Sequence, residues 1–501
     1  MPLLLAGAAA SLLAAGVGAQ PSSCPGPAPE QQALGPVPAP AERIYAQEVI
    51  SRTGEALAAV AGNREAEAEI HALRASILAA LECDAAAASS LTEALRREPT
   101  VSRTYALASL AARRLDGPVP LFEVLTAASR HMPEARRPDF HLIFTVDDVL
   151  WLARALRIAG DDARRAALSA AVVSVGWPGE NDPIAGDIFR MDMVDRHLAA
   201  GDRAEAVRVA GTVFGPEAVQ MLATQRRYAG LSQAWERPAE AIAEAWSRHD
   251  RTTREALTAQ PGNPRYLHQR ARLLLALGRD AEVAELLAPA AAAPEESYAE
   301  PTGRLILEDA TWALLAAGRG EEAVALSARL AAIELAADAR NTAAAARHVY
   351  LLAQAGRPRE SVTFAEELLR RRDEHLTDYA RSWVRSHLSC ALSGLGRIAD
   401  AEMQVDALMA GGDSSAALRA LLCANRTEDA EILLVRRLRD GDGLALQALQ
   451  DWRRGGADAG PAAVLYDRLR ALRSRPAVAA AVERAGRIVQ IPARRVAPEV
   501  F

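Results

Sequence analysis

Five carboxylates crowd one tryptophan in this chain. Glu180, Asp182, Asp187, Asp192 and Asp195 fall in or just beyond the loop GWPGENDPIAGD, which contains Trp177. Two acids beside an aromatic platform are the groups glycoside hydrolysis needs, one to protonate the leaving oxygen and one to serve as nucleophile or activate water. The same acids also read as solvated charges of a Gly/Pro-rich loop. Asp147 and Asp148 make a second acidic pair, ahead of Trp151. Adjacent helical residues point about 100° apart, so this pair fits the charged start of a helix better than a shared site. The nine histidines are scattered, and neither His-Glu-x-x-His nor Gly-x-Ser-x-Gly occurs. His197, His348 and His387 therefore read as surface or groove residues, not metal ligands.

Composition narrows the chemistry further. The sequence contains no lysine, so all 58 basic residues are arginine. A phosphate-cradling loop ending in Gly-Lys-Ser/Thr is thereby excluded, and so is Schiff-base chemistry on lysine. No cofactor and no metal are expected. The formal charge of −6 leaves a mixed surface without the basic footprint of a nucleic-acid binder. Half the residues are hydrophobic but only 4% are aromatic. Alanine supplies much of the apolar total, which favours small-faced helices in close contact.

The chain opens MPLLLAGAAASLLAAGVGAQ. An apolar run ending in Val17-Gly18-Ala19 fits the small-residue cleavage pattern of a secretory signal. Residues 1–19 are expected to be a signal peptide, making the protein periplasmic or secreted. A membrane anchor at the N-terminus is the alternative, since the leading residues carry no Arg or Lys. Residues 20–41 hold seven prolines and read as a semi-rigid linker. The four cysteines, Cys24, Cys83, Cys390 and Cys423, include no Cys-x-x-Cys. Cys390 and Cys423 lie about one repeat apart and could pair in an oxidising compartment; small apolar packing in helices is the other reading.

The elements that must position these residues are announced by recurring punctuation. Turns fall at Gly160, Gly201, Glu236, Gly278, Gly318, Gly356, Gly396 and Asn425, at spacings of 41, 35, 42, 40, 38, 40 and 29. Weaker members lie near Glu82–Asp84 and at Asp116-Gly117. Gly, or Asn as second choice, supplies the left-handed residue that ends a helix. Arg or Asp follows and stays solvated, and acids open the next helix. Small or medium residues recur five positions after each turn: Ala206, Ala241, Val283, Ala323, Ser361, Ala401 and Ala430. Others recur seven before a turn glycine: Ala153, Val194, Ala271, Thr311, Val349 and Ser389. Both sets let the two helices of a hairpin approach closely. A period in this range means stacked helical hairpins.

These units resemble tetratricopeptide repeats. "ALRREP", Ala94 to Pro99, has the Ala-Leu-x-x-x-Pro ending of that family's second helix, with Ala87 seven residues earlier. The stretch from Ala256-Leu257 through Pro261 to Gly278 repeats the family spacing. The likeness covers roughly residues 65–435, with a longer period than the family's and few of its first-helix aromatics. It implies an all-α right-handed superhelix of stacked antiparallel hairpins over 42–439. Capping helices are expected over 440–485 and an extended tail over 486–501.

In that family the first helix of each hairpin lines a concave groove. The residues six before each turn glycine are Arg154, Asp195, Arg272, Trp312, Tyr350 and Cys390. Neighbouring first-helix positions add Arg265, His268, Glu308, Trp383 and His387. Arginine forks and aromatic faces suit a protein or peptide with acidic and apolar groups; the other reading is that Trp312 and Tyr350 fill core between repeats and the arginines are only solvated. The expected function is a non-catalytic binding scaffold exported to the cell envelope, with no nucleic acid bound. Two alternatives stand beside it: a glycan-processing enzyme using acids of 177–195, and a structural subunit of an envelope polymer-export assembly.

Overall fold

A computed structural model describes residues 40–177, 184–299, 302–337, 342–411, 413–453 and 461–493. The expected signal peptide, most of the proline-rich linker, Glu180, Asp182 and the last eight residues of the tail lie outside it. The fold is all-α. Among the described residues the strands are two dipeptides, and no helix is long and apolar enough to cross a membrane. The chain divides into two compact units, Met1–Thr212 and Val213–Phe501.

The first unit carries α1 (Pro40–Ala59), α2 (Arg64–Ala80), α3 (Asp84–Arg96), α4 (Ser102–Ala112), α5 (Val119–His131) and α6 (Arg137–Ile143). It ends with α7 (Val146–Ile158), α8 (Asp162–Ser174), α9 (Asp187–Ala199) and α10 (Arg203–Ala210). From α1 to α5 and from α7 to α10 consecutive helices pack on one another, α2 also packs on α4, and α5 packs on α8, as in stacked hairpins. Ala72, Ala87, Ala94, Ala108 and Ala111 are fully enclosed there, so the seam is built from small side chains.

The second unit begins with α11 (Pro216–Thr224), α12 (Gln233–Glu236), α13 (Pro238–Ala259), α14 (Pro264–Ala276) and α15 (Asp280–Leu286). Two short helices follow, α16 (Ala288–Ala292) and α17 (Pro294–Ala299). Then come the hairpins α18 (Gly303–Ala316) with α19 (Gly320–Ala337), α20 (Ala343–Gln354) with α21 (Pro358–Arg372), and α22 (Asp378–Gly394) with α23 (Ile398–Gly411). A further hairpin, α24 (Ser414–Cys423) with α25 (Thr427–Arg439), precedes α26 (Gly443–Ala448), α27 (Pro461–Arg473) and α28 (Pro476–Ala485).

The turns explain the hairpins. Gly278, Gly318, Gly356 and Gly396 have φ of 78, 78, 77 and 74°, and Asn425 has 60°. The next N–H reaches back to the exposed carbonyl of the preceding helix: Arg279 to Leu274, Arg319 to Leu314, Arg357 to Leu352, Arg397 to Leu392 and Arg426 to Leu421, all at 2.8–3.0 Å. This is the glycine-terminated C-cap that satisfies orphan carbonyls. The five arginines do not simply stay solvated. Each pairs with an acid three residues on, Glu282, Glu322, Glu360, Asp400 or Asp429. Glu236 is a correction: it ends the four-residue α12 and is not among the left-handed residues. With neither Gly nor Asn at that position, the chain uses a bare break before Pro238, the first residue of α13.

The small-residue positions are where hairpins close. Val283, Ala323, Ser361, Ala401 and Ala430 are buried, as are Ala271, Thr311, Val349 and Ser389. Ala153 and Ala241 are only half-buried. Ser389 Oγ donates to the carbonyl of Ala401 at 3.3 Å, so a serine there bonds across the hairpin it helps to close.

Three helices, α26 to α28, occupy the segment expected to cap the stack, and the residues after them pack against the start of the unit. Arg487 N–H donates to the Thr224 carbonyl at 2.9 Å, and Gly486 bridges to Gln225. The Arg487 guanidinium lies 3.7 Å over the Trp235 ring. Strand β1 (Asp451–Trp452) pairs in parallel with β2 (Gln490–Ile491), which also contacts α13. Residues 486–493 thus return to the beginning of the second unit and are packed there. Cys390 of α22 and Cys423 of α24 form a disulfide, joining successive first helices. Of the two sequence readings for that pair, the bridge is the one observed.

Candidate protein-binding face

The first helices of the second unit carry a side-chain ladder. At its polar end Asp309 of α18 is 2% exposed, a carboxylate that requires compensation. His268 Nδ1 of α14 lies 2.7 Å from Asp309 Oδ2, and Arg272 Nη1 lies 3.7 Å from Oδ1. Its neighbour Glu308 accepts from Arg304 at 2.6 Å and also from Arg347 of α20. Charge pairs therefore tie α14, α18 and α20 together in sequence. Arg265 sits half-buried in the first turn of α14.

The ladder continues as stacked rings. Trp312 of α18 and Tyr350 of α20 have ring centroids 5.4 Å apart. Tyr350 meets His387 of α22 at 4.8 Å, and His387 meets Trp383 at 5.6 Å. Arg419 of α24 lies 4.7 Å over the Tyr350 ring, an arrangement that suits a cation on an aromatic face. Burial holds the His387 imidazole well below its usual pKa, with the Arg419 charge adding to the effect, so the ring is neutral.

Exposure divides the ladder. Arg272 is 39% exposed and Trp312 is half-buried, whereas Tyr350, Trp383 and His387 are buried. The last three, offered by sequence spacing as groove residues, are part of the packed interior. One cause is visible: α27 packs on α20 and α24, so the chain itself covers first helices at that end. Arg468 of α27 donates to the carbonyls of Leu422 and Cys423 at the end of α24. The open stretch is the α14–α18 surface bearing Arg272 and Trp312.

Arg154 and Asp195 belong to the first unit and not to this ladder; Arg154 is exposed and Asp195 half-buried. Sequence reasoning missed Arg419, yet it lies six residues before Asn425, the position that yields Trp312 and Tyr350 before their glycines. Treating Asn425 as a full member of the turn series finds it. Asp309 and Arg347 each lie nine before a turn glycine, as His387 does.

The acids near Trp177 have a different setting. The Trp177 indole is enclosed, its Nε1 donating to the Phe144 carbonyl at 3.2 Å and its ring meeting Phe189 edge-on. It offers no platform to a sugar. Asp187 pairs with Arg190 at 2.6 Å and Asp192 with Arg196 at 2.8 Å. Asp148 closes a capping box with Thr145 and takes Arg113 at 2.7 Å, so it serves the start of α7. Among the described residues no group of three or more His, Cys, Asp or Glu could hold a metal ion.

No family model and no curated protein match this sequence. Among solved structures the chain is similar to one described as the structure of Naa15/Naa10 bound to HypK-THB. The identity is 16%, covering 84% of this chain and 70% of that one, with a TM-score of 0.18. So low a TM-score carries no argument, and the all-α hairpin assignment rests on the helices, turns and packing of this chain.

Proposed function

We propose that this protein is a non-catalytic scaffold that binds a peptide or protein segment along the α14–α18 face of its second unit. The observation that carries the reading is that Trp312, half-buried on α18, and Arg272, 39% exposed on the packed neighbour α14, both stay accessible, with Arg272 3.7 Å from the buried Asp309 carboxylate. A ring held by Tyr350 and a guanidinium held by Asp309 are pre-organised, which lowers the entropy lost on binding. Such a surface selects a partner with an acidic group beside an apolar one.

Export to the cell envelope is part of the proposal. The apolar run with Val17-Gly18-Ala19 and the Cys390–Cys423 bridge support it, since disulfides persist in oxidising compartments. The competing reading, a structural subunit using its outer surface, draws on exposed apolar residues of second helices such as Met403 and Ile432.

Photocrosslinking separates them. A photoreactive side chain replacing Trp312 or Arg272 should capture a discrete partner in the cell, and one at Met403 or Ile432 should not. Capture from 403 or 432 alone would transfer the function to the outer surface.

A further inference from the structure

Three segments of the second unit converge on a cavity of about 340 Å³. They are Gln225 to Arg227 after α11, Leu438 to Gly443 at the α25–α26 junction, and Ala481 to Ala485 ending α28. Two glycines let the walls meet. A Cβ on Gly486 would stand 1.9 Å from the Thr224 carbonyl oxygen, and one on Gly443 would stand 2.5 Å from Gln225 Nε2.

The lining is cationic in an otherwise acidic chain. Arg226, Arg227, Arg439 and Arg484 all face the cavity. Among the described residues no carboxylate pairs with Arg226, Arg439 or Arg484. That sets them apart from the turn arginines, each of which carries its own acid. Asp442 is the one carboxylate of the lining, and it is already engaged. Its Oδ1 accepts the N–H groups of Leu444 and Ala445 at 2.9 and 3.2 Å, and its Oδ2 accepts from Arg437 at 2.7 Å. Gln225 is 3% exposed, and its amide Nε2 has no hydrogen-bond partner. A buried donor left unpaired is costly unless something else completes it.

We propose that this cavity binds a small polyanion, a phosphate- or carboxylate-bearing molecule. The Gln225 amide supplies a neutral donor, and the arginines supply the charge and the planar forks that recognise oxyanions. The volume lies at the small end of ligand pockets, which fits a compact ligand. The site is independent of the α14–α18 face, so either can fail alone.

Calorimetry on the full chain at low ionic strength tests it, with inorganic pyrophosphate and citrate as probes. At least one probe should bind, and stronger pyrophosphate binding would mark a phosphate ligand, stronger citrate binding a polycarboxylate. The double variant Arg226→Gln/Arg484→Gln should weaken binding by about tenfold or more, and Arg439→Gln should weaken it separately. Arg359→Gln/Arg370→Gln, which removes two exposed charges elsewhere in the unit, should leave affinity within about twofold. Melting curves identify any variant that fails to fold. Absence of binding by both probes, or an equal loss in the control variant, overturns the proposal.

Discussion

The hydroxyl of Ser361 donates to the carbonyl of Val349 at 2.7 Å, across the two antiparallel helices α20 and α21. Ser361 lies five residues after Gly356 and Val349 seven before it, so one turn sets both partners. The contact works because neither position carries a large side chain. Ser361→Leu should overpack the hairpin and lower stability by about 1–3 kcal/mol, whereas Ser361→Ala should cost about 1 kcal/mol for the lost hydrogen bond. Denaturant unfolding that ranks alanine as the worse of the two would contradict this packing.

Gly318 and Gly320 give a paired prediction of opposite sign. Gly318 has φ of 78° with open space where a Cβ would go, so Gly318→Ala meets only backbone strain. It should cost about 1 kcal/mol. Gly320 opens α19 without a positive φ and also faces open space. Gly320→Ala should raise stability by about 0.5–1 kcal/mol. Melting temperatures of the two single variants decide the matter.

The disulfide predicts sensitivity to reduction. Cys390 and Cys423 are 33 residues apart in sequence. Closing a loop of that size stabilises by about 3–4 kcal/mol on the chain-entropy estimate. Cys390→Ser/Cys423→Ser should therefore melt well below the oxidised protein, and a reductant should lower the melting temperature of the variant by less than it lowers that of the wild type, since Cys83 is disulfide-bonded in both. A reductant that leaves the wild-type melting temperature unmoved would argue that the bridge contributes nothing.

His348 sets a pH window. Its ring is buried against Phe364, with Nδ1 3.1 Å from Ser327 Oγ, and burial lowers its pKa to about 4. The Arg357 charge pushes the same way. An unfolded histidine titrates near 6.5, so below that pH the unfolded chain takes up a proton the folded chain refuses. Stability should fall on the order of 2–3 kcal/mol as pH drops from about 6.5 to about 4, then level off for this group. His348→Gln should reduce the loss in that window without abolishing it, because His387, also buried and held well below its usual pKa, contributes there too. An unchanged slope in the variant would remove His348 from the account.

The repeat architecture was legible because its signals are local. A left-handed residue, an acid-rich first turn and a small residue at the crossing occupy fixed positions, and Gly278, Gly318, Gly356, Gly396 and Asn425 all obey. Glu236 misled because spacing alone marked it, without the residue type a left-handed turn requires. The ladder from His268 to Arg419 was largely readable as a column. Which part stays open was not, because the burial of Tyr350 and His387 depends on packing from elements distant in sequence. The return of Arg487 to Thr224 was invisible for the same reason. No periodicity links residues more than two hundred positions apart.

That return has an evolutionary corollary. An open array of hairpins can gain or lose one member and still find a partner for every face. Here residues 486–491 are fitted to the opening ones, with Gly486 leaving no room for even a methyl group beside Thr224. Duplicating or deleting one hairpin between them would carry the clasp past its mate. The number of hairpins in this unit is therefore held fixed by geometry, and its lineage should vary in surface chemistry rather than in length.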